Sequence, residues 1–139
     1  MLRLFFILLI SLSSLFLSAQ NQPPFRVVFW NTENFFDTRH DSLKNDMEFL
    51  PHSMRHWNHR RYKKKLDSVS RTLTAIGEWN FPALIGLCEV ENDTVMRDLT
   101  LYSPLKEAGY RYVMTHCSDL RDIDVALLYQ RDRFKLLSY

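Results

Sequence analysis

Residues 83–92 read ALIGLCEVEN, and this stretch decides the architecture. Residues 83–87 form a continuous apolar run of strand length, entered through Pro82 and closed by the change to Cys88 and Glu89. A strand apolar at consecutive positions is expected to be buried on both faces. A carboxylate placed directly after such a strand is held rigidly and partly out of water, so it gains from a cation such as Mg²⁺. Glu89 is therefore the leading candidate metal ligand, with Glu91 two residues on. The plainer alternative is pairing with a helix cation such as Lys65, since structural ion pairs also engage carboxylates.

Upstream, Leu66, Val69, Leu73 and Ile76 recur at steps of three and four, which predicts an amphipathic helix over roughly 57–79. Its start is crowded with Arg60, Arg61, Lys63, Lys64 and Lys65. Residues 25–30, FRVVFW, are rich in β-branched and aromatic types and read as the first strand. Residues 31–51 lack a sustained period and read as a long loop, of the kind that tends to be functional. Downstream, Asp93 is placed to cap a helix over 94–101. Strands follow at 110–115 and at 123–129 (IDVALLY), separated by a polar turn at 118–122, with 133–137 as a hairpin partner. The order of strand, helix, strand, helix and further strands predicts an α/β layered sandwich. A sheet still being built at residue 139 leaves apolar faces or edges uncovered, so the architecture is expected to be incomplete.

The amino terminus carries one cation, Arg3, then an apolar run over 4–17 and small residues ending at Ala19. This is the layout of a signal peptide cleaved after Ala19, and the run is shorter than the ~20 residues that span a bilayer. The division expected is a leader at 1–19, a short linker at 20–24 and one domain at 25–139. The protein is expected to be secreted or periplasmic, monomeric, and without stable membrane insertion after cleavage. Losing Arg3 lowers the formal charge of +2 by one, so charge alone does not make the chain a general polyanion binder. Cys88 and Cys117 have no CxxC or zinc spacing; export permits a disulfide, while the apolar setting of Cys88 favours a buried free thiol.

Polar groups fall at the ends of apolar strands in three places: Asn31 and Glu33, Glu89 and Glu91, and Asp124. Strand ends of α/β sheets are where ligands bind. His52, His56 and His59 stand at steps of four and three, which on a helix would gather them for a transition metal. His56, Arg60, Arg61 and Lys64 read either as a phosphate-facing basic rim or as a solvated helix face.

Three segments, FWNTENFFD (29–37), LIGLCEVEN (84–92) and DLRDIDVALLY (119–129), resemble in order and rough spacing the N-terminal motifs of the endonuclease/exonuclease/phosphatase family. The resemblance implies the N-terminal part of a four-layered α/β sandwich, two packed mixed sheets flanked by helices. It implies hydrolysis of phosphoester bonds, nucleic acid among the substrates, with Mg²⁺ as cofactor and Mn²⁺ or Ca²⁺ as substitutes. By it, Glu89 is the acidic metal ligand and Asn31 helps to position metal and phosphate, both as catalytic residues, while Arg121 and Asp124 contact substrate phosphate. The sequence departs from the family at Asp122, where related sequences often carry Gly; bulk and negative charge there oppose a tight approach. The family's second half supplies an Asp–Asn pair, a phosphate-binding His and an Asp–His pair. These 139 residues alone are therefore expected not to turn over substrate. The alternative functions are a non-catalytic phosphate or nucleic-acid binding module, or a truncated relic.

Overall fold

Burial alternates along the strands of the computed structural model, which describes residues 26–117, 121 and 123–139. The expected leader and linker lie outside the described residues, as does the 118–122 turn apart from Arg121. Four strands, β1 (Val27–Phe35), β2 (Leu84–Val90), β3 (Tyr110–Met114) and β4 (Asp124–Gln130), form one mixed sheet in the order β1-β2-β4-β3. β1 and β2 are parallel, joined through helix α1 (His59–Gly77); β4 runs antiparallel to both of its neighbours. Helix α2 (Asp93–Leu101) and a 3₁₀ turn (Pro104–Ala108) link β2 to β3. This is the mixed α/β architecture expected, one sheet and one helical layer of a sandwich.

The core lies between the helices and one sheet face. Tyr62, Leu66, Val69 and Leu73 of α1 and Val95, Met96 and Leu99 of α2 pack on Ile85, Leu87, Ala126 and Leu128. Tyr62 replaces the expected Ile76 on this stripe: Ile76 is 42% exposed, while Gly77 closes the buried row. α1 starts where Asn58 accepts a hydrogen bond from the Arg61 amide at 3.2 Å, and α2 where Asn92, not the expected Asp93, accepts from Val95 at 3.0 Å. Asp93 instead occupies the first turn of α2, where its charge meets the positive end of the helix.

Among the described residues the helices cover one face of the sheet, which corrects the expectation of two covered faces for 83–87. Leu84, Gly86 and Cys88 are half-buried, and on the same face Val27 and Phe29 are 61% and 74% exposed. Gly86 is what lets the Phe29 ring lie down there, since a Cβ at Gly86 would come within 2.9 Å of the ring. Two further expectations are corrected. β1 runs on through Phe35, so Asn31 and Glu33 lie inside a strand rather than in a loop. Residues 133–137 are not a strand, because both edges of β4 are already taken by β2 and β3.

Candidate metal and phosphate site

The strands break register where the polar residues begin. Between Cys88 and Val90, β2 carries one extra residue opposite β4, and this is Glu89; between Asn31 and Phe35, β1 carries three residues opposite that one. A bulge of this kind re-aims side chains. Regular alternation would put Glu89 on the buried face with Ile85 and Leu87, and would put Phe35 on the open face with Asn31. With the irregularity, Phe35 and Val90 enter the core and the Glu89 carboxylate comes to Asn31. The backbone adopts left-handed conformations to do so, at Glu33 (φ 55), Asn34 (φ 61) and Glu89 (φ 57). Such conformations are disfavoured for these side chains by about 1–3 kcal/mol each and persist only where surrounding contacts enforce them.

Those contacts form a closed set. Asn31 Nδ2 donates to Glu89 Oε1 at 2.8 Å, and the Asn34 amide donates to Glu89 Oε2 at 2.9 Å. The Glu33 amide donates to Asn31 Oδ1 at 2.8 Å, fixing the orientation of that side-chain amide. Lys65 of α1 donates to the carbonyls of Glu33 and Asn34 at 2.5 and 3.2 Å. It clamps the bulge from behind instead of ion-pairing with Glu89 as the plainer reading of the sequence had it. Burial lowers the Lys65 pKa, against the pull of Glu33 and Glu89 in the other direction. Thr32 ties the two strands by donating to the Cys88 carbonyl at 2.7 Å.

A second layer of polar residues supports the first. Buried Glu91 accepts from the Asp37 amide at 2.6 Å, and Trp57 Nε1 donates to the carbonyls of Asp37 and Phe36 at 2.7 and 3.1 Å. Asn92 Nδ2 reaches Asp37 Oδ2 at 3.3 Å. The loop after β1 is thus bound both to the end of β2 and to the residues leading into α1. Asp37, Trp57 and the supporting role of Glu91 were missed in the sequence, where their separations of 20 and 54 residues carry no local pattern.

Asp124 stands opposite Val90 in the sheet and is 6% exposed. Its Oδ1 accepts from Thr115 Oγ1 at 2.7 Å and from the Cys117 amide at 2.9 Å, closing the loop between β3 and β4. It also lines a groove of about 420 Å³ shared with Glu91, Asn92, His116 and Lys44. Arg121 is exposed in that loop, and its neighbours Leu120 and Asp122 lie outside the described residues. The structure therefore brings Asn31 and Glu89 together and places Asp124 opposite Val90, the residue after Glu89, in a groove that neither of the two lines.

The donor set can be tested against the Mg²⁺ that the sequence resemblance implies. Glu89 offers one carboxylate beside one side-chain amide, and among the described residues no three His, Cys, Asp or Glu groups gather as a protein cage. Hard oxygen ligands in small number suit Mg²⁺, which keeps several waters and shares the oxygens of a bound phosphate, rather than zinc or a caged calcium. His52, His56 and His59 do not assemble a transition-metal site.

A mixed sheet whose two parallel strands bring a carboxylate and a side-chain amide together near the end of β2 has the frame of an α/β protein that binds its ligand beside the strand ends. A family model, the endonuclease/exonuclease/phosphatase family, matches residues 26–139, and the chain belongs to that family. The family generally depends on a metal and acts on phosphoester bonds. No curated protein and no solved structure matches the chain.

Proposed function

We propose that the protein is an exported, Mg²⁺-dependent phosphoester hydrolase of the nuclease or phosphatase type, with Glu89 and Asn31 holding the metal. The observation that carries this reading is the bulge that brings the Glu89 carboxylate against Asn31 in a fixed geometry. A preorganised ligand of this kind loses little on meeting a cation. When bound, the metal would polarise a phosphoryl oxygen and neutralise charge developing on it. Glu89 would anchor the cation, and Asn31, its amide oxygen accepting from the Glu33 amide, keeps the carboxylate oriented. Arg121 and Asp124 are proposed to meet substrate phosphate on the β3–β4 side, where Thr115 and Cys117 fix the Asp124 carboxylate.

Activation of the attacking water belongs, by the family resemblance, to an Asp–Asn pair and an Asp–His pair of the second half. Turnover is therefore expected only where that half is present. Export rests on the leader at 1–19, and the mass of the protein recovered outside the cytoplasm tests it. The described residues contain no helix long and apolar enough to cross a membrane.

Titration of Mn²⁺, followed by its paramagnetic signal, tests the metal assignment directly. Glu89→Gln is expected to weaken the site by at least about tenfold. In protein that includes the second half, the same change is expected to lower hydrolysis of a simple phosphodiester on the order of a hundredfold or more. Unchanged Mn²⁺ affinity in Glu89→Gln would sink the assignment. A non-catalytic binding module is the second reading, favoured by the cations beside the bulge; it predicts phosphate binding that fades steeply with salt and ignores Mg²⁺.

A further inference from the structure

A second pocket, of about 350 Å³, lies on the α1 side of the bulge, between the end of β1 and the first two turns of α1. Glu33 and Asn34 form its inner edge, and the same two residues donate their amides to Asn31 and Glu89. The pocket and the candidate metal site therefore share a wall. Arg55, Arg61 and Lys65 bring three cations to it, against the single carboxylate of Glu33.

The cations differ in how they are held. Arg55 is paired with Glu48 at 2.8 Å, outside the lining. Arg61 and Lys65 have backbone carbonyls as hydrogen-bond partners among the described residues: Arg61 donates to the carbonyl of Arg55, and Lys65 to those of Glu33 and Asn34. Carbonyls satisfy the Arg61 donors without neutralising its charge, whereas Lys65 also feels the carboxylates of Glu33 and Glu89. The wall behind them is stiff, since the Phe49 ring stacks on Phe36 at 3.9 Å and Trp57 is tethered by its indole N–H. Fixed guanidinium and ammonium groups in a small rigid pocket select an anion with several acceptor oxygens. The volume is at the small end for ligand sites, roughly 300–1,000 Å³, which suits one phosphate with part of the group that carries it.

We propose that this pocket binds a phosphate of the substrate other than the one attacked, so that the preferred substrate carries at least two phosphates. The proposal rests on reading Asn31 and Glu89 as the phosphoester site, and it adds Arg61 and Arg55 as specificity-determining residues. The sequence offered His56, Arg60, Arg61 and Lys64 as a rim; the fold keeps His56 and Arg61 at the pocket and replaces the other two with Arg55 and Lys65.

The test is equilibrium binding in EDTA, where catalysis is silent. The probes are a labelled single strand of about twelve nucleotides and, separately, inositol hexakisphosphate. Arg61→Gln is expected to weaken binding about tenfold, as loss of a charge-assisted contact does, and Arg55→Gln, whose guanidinium is already paired with Glu48, by a smaller factor. On the single strand each is expected to reduce the salt slope by about 0.7. Arg61→Lys is expected to retain part of the affinity, and circular dichroism checks that each variant is folded. Loss with the nucleotide strand alone identifies a phosphodiester chain, and loss with the inositol phosphate alone a polyphosphorylated small molecule; either supports the pocket. Equal binding by the wild type and both arginine variants overturns it. Weakening by Glu89→Gln in EDTA, with the arginine variants intact, also overturns it. Arginine-dependent binding with no metal-dependent hydrolysis would remove the proposed function and leave the pocket standing.

Discussion

Lys65 shows what one residue can do without touching a ligand. Its ammonium holds the carbonyls of Glu33 and Asn34, whose amides hold Asn31 and Glu89, so a change at Lys65 reaches both side chains of the candidate site through two peptide groups. Lys65→Met keeps most of the apolar stem and removes the donor. It is expected to weaken Mn²⁺ binding by about 10–100-fold, as loss of a ligand's support does, with Lys65→Arg intermediate. Full Mn²⁺ affinity in Lys65→Met would show that the bulge holds itself. Asn31 and Glu89 were legible in the sequence because a polar residue straight after an apolar run is a recognisable event. Their contact was not legible, because it depends on three left-handed residues, none of them glycine. Lys65 stood in a run with Lys63 and Lys64, and only the phase of α1 separates it from those exposed neighbours.

At the scale of the element, periodicity located α1 and β2 well and described their faces less well. The helix occupies His59–Gly77, inside the predicted span, yet Tyr62 belongs to its buried stripe and Ile76 does not. Paired variants separate the two readings. Leu73 is wholly buried, so Leu73→Ala is expected to cost about 2–5 kcal/mol by urea denaturation. Ile76→Ala on the exposed edge is expected to stay within about 1 kcal/mol. Similar costs for both would mean that Ile76 has a partner outside the described residues. The apolar run at 83–87 misled for a related reason. Consecutive apolar residues show that neither face of a strand is strongly polar, but they do not show what covers each face. Likewise, 133–137 has the composition of a strand but no free edge of β4 to join.

The molecule as a whole carries titrations of opposite sign, which shape its stability in alkali. Burial raises the phenol pKa values of Tyr62 and Tyr110 above the ordinary 10.0. The Tyr62 hydroxyl donates to Asp98 at 2.8 Å, and that carboxylate adds to the rise; the Tyr110 hydroxyl donates to the Pro82 carbonyl. Tyr112 is pushed up to about 12, by burial first and then by Asp93. A raised phenol keeps its proton in the folded chain after the unfolded chain has lost it. Its contribution is whole below 10.0 and declines as the pH climbs from there toward the folded value, which for Tyr112 is about 12. Lys65 works the other way: its pKa is lowered from 10.5, so the folded chain binds fewer protons and stability rises with pH up to that point. The urea midpoint is therefore expected to hold or rise slightly toward pH 10 and then to fall steeply, since three phenols oppose one amine. Tyr62→Phe and Tyr110→Phe should each flatten the fall, and Lys65→Met should remove the preceding rise. A midpoint that stays level from about pH 10 to pH 12 would mean that the phenols titrate alike in both states, contrary to the burial that raises them.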